Sequence, residues 1–174
     1  MMAYLKNNLV QGLKVSPFTA PLKSLIAVPI YGCISLIIGF YTDLFVVKVT
    51  DFPMSFILVV TLFIFPSLLE EAFFRGILIP NNARNQSKKR ILAYIALSTL
   101  VFVLWHPLNA LTMNKSAAPF FFNPVFLFIT ALLGITCSIA YIISRSLWLP
   151  IFIHWFTVII WVVFLGGRNK LLEL

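Results

Sequence analysis

Residues 65–80 read FPSLLEEAFFRGILIP, and they close an apolar run that begins near Met54. Glu70, Glu71 and Arg75 stand there among neighbours that are almost all greasy. At a bilayer centre each ionised side chain costs roughly 2.5 to 3.5 kcal/mol on the insertion scale, so three of them need a physical reason. Whether this run is a membrane helix decides the fold, and the surrounding composition answers that question.

Of the 174 residues, 61% are hydrophobic and 10% charged, against about 25% charged in an ordinary soluble domain. A bilayer crossing takes about 20 apolar residues. Five such runs fit the chain, at 24–41, 54–79, 91–111, 120–143 and 147–165, each bounded by polar or charged residues. The expected fold is therefore all-α, a polytopic membrane helical bundle of about five transmembrane helices. It would form one domain over 24–165, flanked by an N-terminal segment 1–23 and a C-terminal tail 166–174.

A net charge of +8 would point to nucleic acid in a soluble protein, but here the 13 Lys and Arg fall mainly in the connections. The positive-inside rule accounts for them there, so the expected partner is the lipid bilayer and not nucleic acid. With a cytoplasmic N-terminus, Lys6, Lys14, Lys23, Arg75, Arg84, Lys88, Lys89, Arg90 and Arg145 lie inside, and Lys48, Lys115, Arg168 and Lys170 outside. The reverse orientation would place NNARNQSKKR, residues 81–90, outside. The expectation is a multi-pass integral membrane protein, N-terminus in and C-terminus out, in a bacterial plasma membrane.

The first run follows three lysines and lacks an A-x-A cleavage site, so it reads as a retained span and not a signal peptide. Leu5, Leu9 and Leu13 recur beside Lys6 and Lys14, a pattern that suits a helix on the membrane surface or an unstructured tail. Cys33 and Cys137 fall inside apolar runs without C-x-x-C or metal spacing, and read as packing residues.

The chain holds five acidic residues and two histidines, and Asp43, Asp51 and Glu173 belong to connections or the tail. That leaves Glu70, Glu71, His106 and His154, within or near the edge of apolar runs on three different helices. Ionisable residues in such places normally face a bundle interior or a wet cavity and mark function. On a helix Glu71 and Arg75 share a face, the acid N-terminal to the base. Glu70 points about 100° away, so its carboxylate must find protons, a metal or donors on a neighbouring helix, for which His106 and His154 are the evident candidates. Any one of these residues could be polar glue between helices; the set of three favours chemistry. A straight-helix count puts Glu70 roughly 16 Å, His106 roughly 24 Å and His154 roughly 12 Å below the cytoplasmic edge, which leaves His106 too deep unless its helix tilts. Pro66, Pro107 and Pro150 lie within four residues of the three and are expected to kink their helices and open space beside them.

EEAFFR at 70–75, FVLWH at 102–106 and SLWLPIFIHWF at 146–156 together resemble the CPBP family of intramembrane proteases, also called the CAAX protease and bacteriocin-processing (Abi) family. The likeness covers about residues 69–155 and rests on the ordered three-part set. It implies a membrane endopeptidase (a hydrolase) that cuts a membrane-embedded or lipid-anchored peptide or protein. By the same likeness Glu70 is the general base, His106 its partner on the attacking water, and His154 the oxyanion donor, with Glu71, Arg75 and Phe102 in support. A divalent metal such as zinc stays open: Glu70, His106 and His154 would make a three-ligand site with a free position, or act on water directly.

One position departs from the pattern. Relatives often carry Asn or Asp four residues after the last histidine, where this chain has Val158. Valine can neither donate a hydrogen bond nor bind metal. Thr157 is near the same face, but a β-branched hydroxyl usually bonds within its own helix. Val158 keeps a second reading alive, a weak or inactive family member acting as a membrane binding or immunity protein. A third, a proton-coupled transporter, would use Glu and His as relays but finds no internal repeat to support it.

Overall fold

The computed structural model describes residues 2–50 and 54–167. Among these, regular structure is helical apart from an isolated bridge between Lys48 and Leu165. In chain order the helices are α1 (Met2–Lys14), α2 (Ala27–Tyr41), α3 (Met54–Leu62), α4 (Leu69–Phe74), α5 (Lys88–Thr112), α6 (Ala118–Phe121), α7 (Pro124–Ser144) and α8 (Trp148–Ile159). Asp51, Arg168, Lys170 and Glu173 lie outside the described residues, as does the expected C-terminal tail beyond Gly167.

Four segments are long and apolar enough to cross a membrane: Leu22–Tyr41, Ser55–Phe74, Lys88–Thr112 and Pro124–Ser144. The fifth expected span is a shorter apolar helix, Trp148–Phe164. The protein is an all-α polytopic bundle.

The bundle is built around α7. In its apolar window 61% of residues are buried, against 17% to 22% in the other three spans, so α7 is the axis and the others turn a face to lipid. It packs against α2, α5 and α8. Gly134 lets α5 close in: a Cβ there would meet Thr99 Cγ2 at 3.0 Å and Phe102 Cδ1 at 3.2 Å, tighter than ordinary contact. Asn123 starts α7 by accepting from the Val125 and Phe126 amides, ahead of Pro124 at the first turn, where a proline's missing N–H costs nothing. Arg145 ends it with φ 60°.

The second span is where the expectation needs most correction. It is not one helix from 54 to 79: α3 stops at Leu62, a wide turn runs over Phe63–Leu68, and α4 ends at Phe74. Phe65 leaves helical geometry altogether, with φ −133° and ψ 118°, just before Pro66. Of the three prolines expected to kink helices, Pro66 does so. Pro107 lies within the unbroken α5, and Pro150 is in the first turn of α8, where helix amides have no intrahelical acceptor in any case.

Of the two readings offered for the N-terminal segment, the unstructured tail is corrected: it forms the helix α1. This helix is fastened to the end of the bundle. Asn8 Nδ2 donates to the Gly76 and Ile79 carbonyls at 2.6 and 3.0 Å, and Asn8 Oδ1 accepts from the Asn81 amide at 2.6 Å. On the other side Leu147 N donates to Gly12 O at 2.9 Å and Trp148 Nε1 to Leu13 O at 2.8 Å. Thus α1 ties the end of α4 to the start of α8, the two helices that carry the glutamates and His154. Of the cysteines, Cys137 is buried in the core as expected, while Cys33 is exposed on α2.

Candidate active site

Glu70 and Glu71 are presented by α4, a helix of two turns held on both sides. Its leading end follows the break at Pro66, and the Phe74 carbonyl accepts from Ser98 Oγ of α5 at 2.8 Å. Adjacent residues on a helix face different ways, and here the two carboxylates enter different environments.

Glu71 is fully buried and meets two cationic or donor groups. Arg75 Nε stands 3.1 Å from Oε2, both side chains at 0% exposure; the distance is that of an ion pair, although the N–H is not aligned for a hydrogen bond. His154 Nδ1 lies 2.9 Å from Oε1. Arg75 also donates to the Gly134 carbonyl at 3.2 Å and places its guanidinium 4.5 Å from the Phe102 ring centroid. Phe102 thereby touches Arg75 on one side and His154 on another, the latter edge-on at 5.6 Å between ring centroids. Buried charge survives only when paired and hydrogen-bonded; the carbonyl and the aromatic face supply what the single carboxylate does not.

Glu70 is 7% exposed. Its Oε1 accepts from Trp105 Nε1 at 3.0 Å, and its Oε2 is buried with no hydrogen-bond partner among the described residues. The expectation that a histidine would be the donor to Glu70 is therefore corrected: the donor is the indole of the residue before His106, and it is Glu71 that takes a histidine. The i,i+4 rule correctly found Glu71 beside Arg75 but is silent on contacts between helices, which hide both Trp105 and the Glu71–His154 contact.

His106 sits on α5 with Nδ1 2.9 Å from the Phe102 carbonyl. A carbonyl only accepts, so this nitrogen carries the proton and Nε2 is left with the lone pair. The same logic holds for His154: an ionised carboxylate only accepts, so Nδ1 carries hydrogen and Nε2 turns to other partners.

Glu70, His106 and His154 line one cavity of about 360 Å³, whose wall also includes Phe65, Pro66, Phe102 and Val158. The straight-helix count failed to anticipate that His106 would reach it. The count assumed straight helices throughout, whereas the second span breaks at Phe65 and leaves its helix after Phe74. Thr157 lines the cavity too, but its hydroxyl donates to Ile153 O at 2.8 Å within α8, as a helical threonine is expected to do.

Among the described residues no group of three or more His, Cys, Asp or Glu side chains could hold a metal ion. Glu70, His106 and His154 share a wall without forming such a cluster, so as arranged here they do not fit a three-ligand zinc site.

A family model described as Type II CAAX prenyl endopeptidase Rce1-like matches residues 52–160. That stretch contains α4, α5, α7 and α8 up to Ile159. No curated protein and no solved structure matches the chain.

Proposed function

Since the chain belongs to the Rce1-like type II CAAX prenyl endopeptidase family, we propose that it is an intramembrane endopeptidase that hydrolyses a peptide bond with water activated by Glu70 and His106. The family supports a membrane protease in general terms; the residue roles and the assignment to the CAAX-processing or bacteriocin-processing type belong to the proposal. One observation carries it: Glu70, with a buried carboxylate oxygen unpartnered among the described residues, lines the same cavity as two histidines.

Water has two protons to give, and Glu70 Oε2 and His106 Nε2 are both acceptors. A water held between them has its lone pair turned toward a third direction, where the scissile carbonyl would lie. Glu70 takes one proton as the new C–O bond forms. His154, its Nδ1–H held by Glu71, turns Nε2 toward the oxyanion and stabilises it when that nitrogen also carries a proton. The C–N bond then breaks, and the proton on Glu70 passes to the leaving amine. Glu71 and Arg75 hold His154 and the packing around Phe102, and stand behind Glu70 on the next face of α4.

Substrates reaching such a cavity would be membrane-embedded or lipid-anchored peptides. The test is proteomics of membrane fractions from cells expressing the wild type or Glu70→Ala. A peptide or truncated protein that appears with the first and is missing with the second supports the reading; identical fractions oppose it.

Val158 favours a second reading, a binding or immunity protein that keeps the scaffold without turnover. Its apolar side chain lines the cavity and the neighbouring Thr157 hydroxyl is committed to Ile153, so α8 offers no oxyanion donor besides His154.

A further inference from the structure

The cavity wall holds polar groups that the reaction above does not use. Asn109 is one turn beyond His106 on α5, 7% exposed, and its Oδ1 is buried without a partner among the described residues. Trp161, in the segment Ile160–Phe164 that continues α8, has a buried Nε1–H that is likewise unpartnered among them. Both line the same cavity as Glu70 and the histidines. Residues three apart on a helix are surface neighbours, which puts Asn109 beside His106. Trp161 is fixed on the same side, 5.3 Å from the Phe126 ring, which in turn stands 5.7 Å from the His106 ring.

A buried acceptor and a buried donor left unpaired on two residues of one cavity wall carry a desolvation cost that nothing among the described residues offsets. An extended peptide entering from a bilayer has the complementary problem, since each of its main-chain N–H and C=O groups must find a partner in an apolar setting. The two needs match in kind. Both wall groups are neutral, which fits a peptide amide and not a charged side chain.

We propose that Asn109 and Trp161 form a subsite for the substrate main chain, Asn109 accepting from an amide N–H and Trp161 donating to a carbonyl of the segment beside the scissile bond. This rests on reading the cavity as a site of peptide hydrolysis. It makes recognition there independent of side-chain sequence, and adds two positioning residues outside the glutamate and histidine motifs.

The test uses the full chain carrying Glu70→Gln in nanodiscs, with a fluorescently labelled Leu–Ala octapeptide as probe and a set of the same peptide bearing a single ester in place of each amide in turn. Asn109→Leu and Trp161→Phe, each of which preserves bulk, should weaken binding of the all-amide peptide about five- to tenfold, the size of one hydrogen bond. One ester position should cost a similar factor with Asn109 present and nothing in Asn109→Leu, a cancellation that a packing defect cannot produce. The proposal is overturned by absence of saturable octapeptide binding, by less than a twofold effect of both substitutions, or by equal ester losses with and without Asn109. Cleavage of the octapeptide by the protein with Glu70 intact is scored separately. Binding with the ester signature but no cleavage keeps the subsite and sinks the protease; cleavage without Asn109 or Trp161 dependence does the reverse.

Discussion

Glu71 Oε1 and His154 Nδ1 stand 2.9 Å apart, joining α4 to α8 across 83 positions of sequence in a buried contact. The carboxylate is shared between His154 and Arg75. The paired glutamates thus have different partners, Glu71 meeting His154 and Arg75 while Glu70 accepts from Trp105 and lines the cavity. Distinct outcomes follow for the two.

Glu70→Gln should leave the protein folded and membrane-inserted, because the amide keeps shape and still accepts from Trp105. It should lower turnover by about 10²- to 10⁴-fold, the range for a lost general base. Purified wild type and variant, compared by size-exclusion profile and by peptide cleavage in detergent, measure both halves. Activity that vanishes with a chelator and returns with zinc would instead place a metal among Glu70, His106 and His154.

Glu71→Gln should hurt stability as well as turnover. It leaves the Arg75 guanidinium buried without its counter-charge, at a cost of about 3–5 kcal/mol where a buried pair is broken. Replacing both partners, Glu71→Leu with Arg75→Met, should recover much of the thermal stability in detergent, since well-packed apolar pairs often replace buried ion pairs at no loss. That double variant should stay inactive, because His154 has lost the acceptor that orients it. Recovery of turnover together with stability would show that Glu71 acts only through packing.

Val158→Asn adds a donor beside the proposed oxyanion position. In a site that uses such a donor its loss costs about 10²- to 10³-fold, so gaining one should raise cleavage by about tenfold or more in liposomes. Thr157→Val should change cleavage by less than about twofold, given that the hydroxyl already donates to Ile153 O. If neither wild type nor Val158→Asn cleaves any membrane peptide, while Glu70→Gln preserves the cellular phenotype, the binding-protein reading stands.

Asn8→Ala should destabilise the end of the bundle. It removes the donor to the Gly76 and Ile79 carbonyls and the acceptor for the Asn81 amide, and a buried group left unpaired costs about 1–3 kcal/mol. A lowered melting temperature with normal membrane insertion is the expected result.

Charge predicts the orientation: with Arg75 buried in the bundle, eight of the other twelve Lys and Arg fall on one side of a five-span arrangement. A thiol introduced at Ser87 should be shielded from an impermeant reagent in intact cells, and a C-terminal alkaline phosphatase fusion should be active. A C-terminal reporter active only in the cytoplasm would refute the orientation or the fifth crossing, which is the shortest of the apolar helices.

The sequence by itself determined that this is an all-helical membrane protein, because hydrophobic length is read one residue at a time and needs no partner. It likewise determined the Glu71–Arg75 pair, which one helical turn brings together, and singled out Glu70, His106 and His154 as polar residues too few and too costly to be incidental. Only the tertiary structure decided which acid meets which donor. Trp105 on Glu70, His154 on Glu71, α1 fastened beneath α4 and α8, and the cavity that gathers residues of α2, α4, α5 and α8 all depend on how helices are packed and rotated against one another. Packing of that kind is set by close contacts such as Gly134 against Thr99 and Phe102, and by the break at Phe65. A hydropathy pattern records how much of a helix is apolar, but not the angle about its axis at which a particular side chain meets its neighbour.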